Sequence, residues 1–219
     1  MTSLVIFDCD GVLVDSERLS HIVLQQMLEE LGAPLSFDEA VQRFMGTSMP
    51  VCMERIGELL GAPPPADFLP QFSQRTRAAF ETGLTAVPGV EQVLDGLQTP
   101  FCVASNGNRA KVDFTLGHTG LLPRFEGRIF TADDVRHPKP APDLFLLAAR
   151  TLDADPLRTT VVEDTPTGIR AAKAAGMRAI GFSAMTSAER LLAAGADAVA
   201  RTMAEVQVLL PALPQRALR

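Results

Sequence analysis

Residues 4–17 read LVIFDCDGVLVDSE. Four apolar residues, Leu4 to Phe7, run without interruption into two carboxylates, Asp8 and Asp10, parted only by Cys9 and followed by Gly11. A short continuous apolar run bounded by turn residues reads as a strand covered on both faces, which is the pattern of a parallel sheet. Five further segments read the same way: Phe101–Ala104, Arg128–Phe130, Thr160–Val162, Ala179–Phe182 and Ala198–Ala200. Between them lie helical patterns at Val90–Leu97, Ala141–Leu152, Gly168–Ala175 and Ser187–Ala194. Strands alternating with helices predict βαβ units and a doubly wound α/β domain.

One region breaks the alternation. From about Ser16 to Val87 no strand is expected, only four helices. Glu17–Leu31 is amphipathic and stops at Gly32. Ser36–Glu39 is a capping box opening a second helix. Pro50–Leu60 forms a third, and Asp67–Thr82 a fourth beyond the break Pro63-Pro64-Pro65. The expected organisation is an α/β core of residues 1–15 and 87–219 with a four-helix insert at 16–86.

Composition narrows the function. The chain has 219 residues, 47% hydrophobic, enough for one sizeable core with a small appendage. A net charge of −6 and the lack of Trp and Tyr argue against a nucleic-acid partner, which favours a basic face and stacking platforms. Cys9, Cys52 and Cys102 form no CxxC pair, so disulfides and a thiolate zinc site are not expected. The histidines His21, His118 and His137 are dispersed without metal-ligand spacing. With no apolar run near membrane length and no targeting segment, a cytoplasmic protein without a membrane partner is expected, monomeric or weakly dimeric.

In an open parallel sheet, ligands bind beyond the carboxyl ends of the strands. Asp8 and Asp10 follow the first strand. Ser105-Asn106-Gly107 follows Phe101–Ala104, and Glu163-Asp164 follows Thr160–Val162. Each signal alone has an ordinary explanation as a turn or a helix cap. Together they bring four carboxylates to one edge, where they repel each other and lose hydration. A hard divalent cation with oxygen ligands resolves this, and Mg²⁺ keeps positions for phosphate oxygens. Ser105 offers a hydroxyl, and Asn106 and Gly107 offer backbone N–H groups. Lys139, in HPKPAPD, is a rigidly held counter-charge for a phosphate and a carboxylate.

These motifs resemble the haloacid dehalogenase superfamily of phosphotransferases, in the subgroup similar to β-phosphoglucomutase with a helical cap. FDCDGVLVDSE matches its nucleophile motif, VASNG its second motif, KPAPD its lysine motif, and VVEDTPTGIRAAKAAGM its acidic metal-binding motif. The resemblance spans nearly the whole chain and extends to sugar-phosphate phosphatases, including those acting on 6-phosphogluconate. It implies Asp8 as nucleophile forming an aspartyl-phosphate, and Asp10 as acid/base. It implies Mg²⁺ held by the Asp8 carboxylate, the Asp10 backbone carbonyl and Asp164, with Glu163 acting directly or through water. Lys139 and Ser105 would bind phosphoryl oxygens. The insert would be a cap hinged near Asp15-Ser16 and Val87-Pro88-Gly89, with Gly46, Thr47 and Ser48 facing the substrate.

The implied activity is a Mg²⁺-dependent phosphatase of a small phosphorylated metabolite, a sugar or sugar-acid phosphate. A sugar phosphomutase is the alternative, but the cap loop Met45–Met49 carries no base for a second phosphate, and Ser20 stands where the mutase has its hinge histidine. Arg43, Arg75 and Arg77 remain as sources of positive charge. A phospho-aspartate signalling module is the alternative of another class. It is disfavoured by the length of this chain and by the placement of its first-strand acids.

Overall fold

The structure is a computed structural model and describes residues 2–47 and 49–212. Six parallel strands form one sheet: β1 (Leu4–Phe7), β2 (Phe101–Ser105), β3 (Ile129–Thr131), β4 (Thr159–Glu163), β5 (Arg178–Phe182) and β6 (Ala198–Ala200). Their order is β3-β2-β1-β4-β5-β6. The chain winds outward from β1 through β2 to β3. It then returns beside β1 and winds the other way, so the topological switch lies between β1 and β4. The register there pairs Phe7 with Val162. The residues that follow, Asp8 and Glu163, therefore leave the sheet side by side.

The chain divides into two compact units, residues 1–14 with 85–219, and residues 15–84. The first holds the sheet. All four β1 residues are buried, as a strand covered on both faces requires. Leu4, Ile6, Cys102, Ala104 and Val161 pack with Leu144, Phe145 and Ala148 of one helix and Ile169 and Ala172 of another. Both Cys9 and Cys102 are buried free thiols, pushed well up from their ordinary range chiefly by burial.

The second unit is helical: α1 (Ser16–Glu30), α2 (Phe37–Phe44), α3 (Met49–Leu60) and α4 (Phe68–Gly83). Ser36 and Glu39 close the expected capping box on α2, with Glu39 N 3.3 Å from Ser36 Oγ and Ser36 N 2.8 Å from Glu39 Oε2. Val23, Leu24, Met27 and Leu28 of α1 meet Ala40, Phe44, Ile56 and Phe68 in its own core. His21 is buried in this unit and donates from Nδ1 to Glu17 O at 2.8 Å. Arg75 pairs with Glu30 at 2.6 Å and Arg77 with Glu81 at 3.3 Å, so both are engaged within the helical unit. The Arg43 carbonyl accepts from Arg55.

The core also carries α5 (Val90–Gly96), α6 (Arg109–His118), α7 (Asp143–Thr151), α8 (Pro166–Ala174), α9 (Ala188–Ala193) and α10 (Met203–Ala212). Two of these, α6 and α10, are absent from the helices expected above. In α6, Val112, Phe114 and Leu116 alternate with polar residues, which imitates strand periodicity. Its buried face instead uses Val112, Thr115 and Leu116, at three- and four-residue spacing with a polar member. The segment of α10 is apolar nearly all round, so no face stands out. Expected α8 begins at Gly168; the helix starts at Pro166, with Thr165 as N-cap and proline in the first turn. No helix among the described residues is long and apolar enough to cross a membrane.

Candidate active site

The loop after β1 is folded tightly on itself. Leu13 N and Val14 N both donate to Cys9 O, at 2.9 and 3.1 Å, and Gly11 N donates to Val14 O at 2.8 Å. Gly11 has a φ of 74°, a left-handed conformation that an L side chain adopts at a cost. That turn fixes Asp8 and Asp10 just beyond the sheet. Asp8 N is held by Val162 O of β4 at 2.9 Å.

Three elements meet at Lys139. Its ammonium donates to Asp8 Oδ1 at 2.6 Å, to Glu163 Oε1 at 2.7 Å and to Ala104 O at 2.8 Å. An ammonium has three protons, and all three are used. The Phe145 ring lies 4.8 Å beneath it. The backbone on either side is pinned by Asn106. Lys139 N donates to Asn106 Oδ1 at 2.9 Å, and Asn106 Nδ2 donates to Lys139 O at 3.0 Å. Asn106 was expected to contribute a backbone N–H; its side chain turns out to lock the lysine segment. Ser105 ends β2, buried, and its Oγ accepts from Gly107 N at 3.0 Å.

Glu163 is held from both oxygens. Oε1 faces Lys139, while Oε2 accepts from Thr165 N at 3.0 Å and Thr165 Oγ1 at 2.9 Å. The same threonine oxygen accepts from Gly168 N at 3.1 Å and so caps α8. Gly168 sits where a Cβ would overlap the Glu163 carboxylate. Glycine at this helical position leaves room for the acid to fold back over the start of α8.

Charge does not balance in this pocket of side chains. Asp8, Glu163 and Asp164 are all buried, and one carboxylate oxygen from each lies within 4.8 Å of the others. One buried ammonium faces three buried carboxyl groups. The result is visible at Asp8, whose carboxyl is pushed up from 3.8 to about 7. Burial is the main cause; Glu163 and Asp10 add to it, and Lys139 opposes it. At Lys139 burial works against the charge, but Asp8 and Glu163 outweigh it and hold the ammonium charged well above neutral pH. A cluster of hard oxygen donors with excess negative charge suits a small divalent cation such as Mg²⁺. Asp10 stands outside this trio, and its Oδ2 accepts from Lys111 Nζ of α6 at 2.8 Å.

The structure brings Asp8, Lys139, Glu163 and Asp164 together, with Ser105 and Asn106 on the neighbouring strand end. Gly46 and Thr47 belong to the helical unit. Gly46 has a φ of 69°, and Thr47 Oγ1 donates to Phe44 O at 2.7 Å, finishing α2. Ser48 lies outside the described residues. His137 is exposed and pairs with Asp143 at 3.1 Å. Lys111, Thr165, Gly168 and Phe145 were not singled out from sequence. Thr165 was legible as a helix cap, but the bond it sends back to Glu163 depends on tertiary structure.

The chain is similar to known proteins in sequence and fold. The profile of the haloacid dehalogenase-like hydrolases matches residues 5–182. The 6-phosphogluconate phosphatase of Escherichia coli is 29% identical over 183 residues, covering 82% of each chain. The fructose-1-phosphate phosphatase of the same organism is 31% identical over 179 residues, covering 80% of this chain and 94% of its own. Among solved structures, a conserved haloacid dehalogenase-like protein of Agrobacterium tumefaciens superposes with a TM-score of 0.92 at 36% identity, over 97% of this chain and 99% of that one.

Proposed function

The chain belongs to the haloacid dehalogenase-like hydrolase family, as a phosphoric monoester hydrolase, and we propose that it cleaves a small sugar or sugar-acid phosphate with the help of Mg²⁺. The observation that carries this reading is the meeting of Asp8, Lys139 and Glu163 at the switch between β1 and β4.

Asp8 is the nucleophile. Its carboxylate attacks phosphorus, the bond to the alcohol oxygen breaks, and a phosphoryl group stays on Asp8. Water then attacks that phosphorus and frees the carboxylate. Splitting the displacement in two lets one buried group act twice. Asp10 gives a proton to the departing alcohol and takes one from the attacking water. Lys139 holds Asp8 in place through its Oδ1 and supplies positive charge for phosphoryl oxygens. Glu163 and Asn106 fix Lys139 from its head and its backbone. Ser105 Oγ and the Asn106 N–H lie at the adjoining strand end as phosphoryl donors, while the Gly107 N–H is engaged by Ser105 Oγ.

Asp8, Asp164 and the Asp10 carbonyl would hold Mg²⁺, with Glu163 beside them. When bound, the ion offsets the repulsion between carboxylate and phosphate and aligns the two.

The test is phosphate release across 6-phosphogluconate, hexose 6-phosphates, fructose 1-phosphate, phosphoglycolate, pyrophosphate and β-glucose 1-phosphate, with Mg²⁺ and with EDTA. Metal-dependent release from a sugar or sugar-acid phosphate is expected. Interconversion of glucose 1- and 6-phosphates without release would overturn the hydrolase in favour of a mutase.

A further inference from the structure

Helix α6 begins directly behind the Ser105–Gly107 loop, with Asn108 Oδ1 accepting from Lys111 N at 2.9 Å as its N-cap. Its first turn holds no acid and two cations, Arg109 and Lys111. Cations at the positive end of a helix are unfavourable by about 0.3–1 kcal/mol each. Arg109 is compensated locally, by Asp113 through Nε at 2.9 and 3.0 Å, and its N–H by Asp133 at 2.8 Å. Lys111 is compensated at a distance. It leaves its own helix to reach Asp10 Oδ2 at 2.8 Å. Its stem passes over Gly107, where an added Cβ would stand 3.4 Å from Lys111 Cδ and 3.3 Å from Ser105 Oγ. Local helix preference, loop composition and the ion pair all converge on one contact.

We propose that Lys111 is a positioning residue for Asp10. The inference rests on Asp10 being the acid/base. An ammonium has three donors and no acceptor. The pair holds the Asp10 carboxyl by Oδ2, so Lys111 sets the orientation in which that carboxyl meets the alcohol oxygen as the P–O bond breaks and the water that attacks the phosphorylated Asp8. The lysine is partly exposed, and such pairs add little to stability, so its removal leaves the fold intact.

The test compares the wild-type protein with Lys111→Met, Lys111→Arg, Asp10→Asn and the Asp10→Asn/Lys111→Met double variant. The substrates are glucose 6-phosphate, whose leaving group needs a proton, and p-nitrophenyl phosphate, whose leaving group does not. Melting curves check folding. Loss of orientation should lower kcat of Lys111→Met on glucose 6-phosphate about 10- to 100-fold, with KM within about twofold. On p-nitrophenyl phosphate, kcat/KM, which ends at phosphorylation of Asp8, should stay within about threefold, while kcat carries the hydrolysis step common to both substrates. Lys111→Arg should recover most of the loss. The double variant should be no slower than Asp10→Asn alone, because Lys111 acts through Asp10.

Equal losses of kcat/KM on both substrates, or a raised KM with kcat kept, would overturn the inference; the second would make Lys111 a substrate-anion ligand. A double variant slower than Asp10→Asn would overturn it too. If Asp10→Asn lowers kcat/KM on both substrates alike, the acid/base reading fails and this inference fails with it. If Asp10→Asn is selective and Lys111→Met is not, only the inference fails.

Discussion

Replacing Gly168 by Ala pits helix propensity against the site. Gly168 lies in the first turn of α8, and in an exposed helix Ala is favoured over Gly by about 0.8–1 kcal/mol. On propensity alone the variant would be more stable. The added Cβ, however, falls on the Glu163 carboxylate. That carboxylate has nowhere free to turn. It is buried, tied to Lys139 Nζ at 2.7 Å and to Thr165 at 2.9 and 3.0 Å. Evicting it breaks a buried ion pair, a change that costs about 3–5 kcal/mol. Net of the propensity gain, destabilisation should be about 2–4 kcal/mol. For a chain of this size that lowers Tm on the order of 5–15 °C. Circular-dichroism melts and urea titrations with EDTA measure it. A second variant, Glu163→Asp in the Gly168→Ala background, shortens the acid and relieves the overlap. The pair should be less unstable than the sum of the single changes by more than about 1 kcal/mol. A Gly168→Ala protein as stable as the wild type, or more so, would refute the reasoning.

Three further outcomes are expected. Without metal, Asp8 binds its proton more tightly in the folded protein, at about 7 against 3.8, so its contribution to stability is full below about 3.8 and is lost as pH rises through about 7. Asp8→Asn should abolish turnover and flatten the fall in urea stability between about pH 5 and pH 7.5; an unchanged slope would count against a buried, strained carboxyl. Burial depresses the pKa of His21 from its ordinary 6.5, so its contribution is present above about 6.5 and is lost as pH falls. His21→Gln should therefore lose less stability than the wild type on acidification to about pH 5.5, read by urea titration; equal losses would refute this. Mg²⁺ at about 100 times its Kd should stabilise the protein by about 2.7 kcal/mol, and Asp164→Asn should remove most of that gain. Equal metal-induced Tm shifts in the two proteins would exclude Asp164 as a ligand.

The six strands were legible because each is a compact apolar run, and the acids at their ends were legible because they interrupt those runs. The α/β class follows from the alternation of those runs with helical patterns, and the family from the resemblance of the four motifs. The contacts inside the site were much less legible. That Lys139 lands on both Asp8 and Glu163 depends on the register of β1 against β4, which no local pattern encodes. Gly168 looked like an ordinary helix residue until the path of the Glu163 side chain was known. Lys111 was invisible because the alternating apolar residues of α6 hid the helix that presents it. Asn106 was read only for its backbone N–H in a phosphate turn, and its side-chain amide pairs with a backbone 33 residues away.

The central claim is that Asp8 carries the phosphoryl group during turnover. Acid quenching of the enzyme in steady state with Mg²⁺ and its preferred sugar phosphate, followed by peptide mapping, tests it directly. The account expects a phosphoryl group on the peptide containing Asp8, and none in Asp8→Asn. Full turnover with no phosphorylated Asp8 peptide, and continued phosphate release by Asp8→Asn, would contradict it.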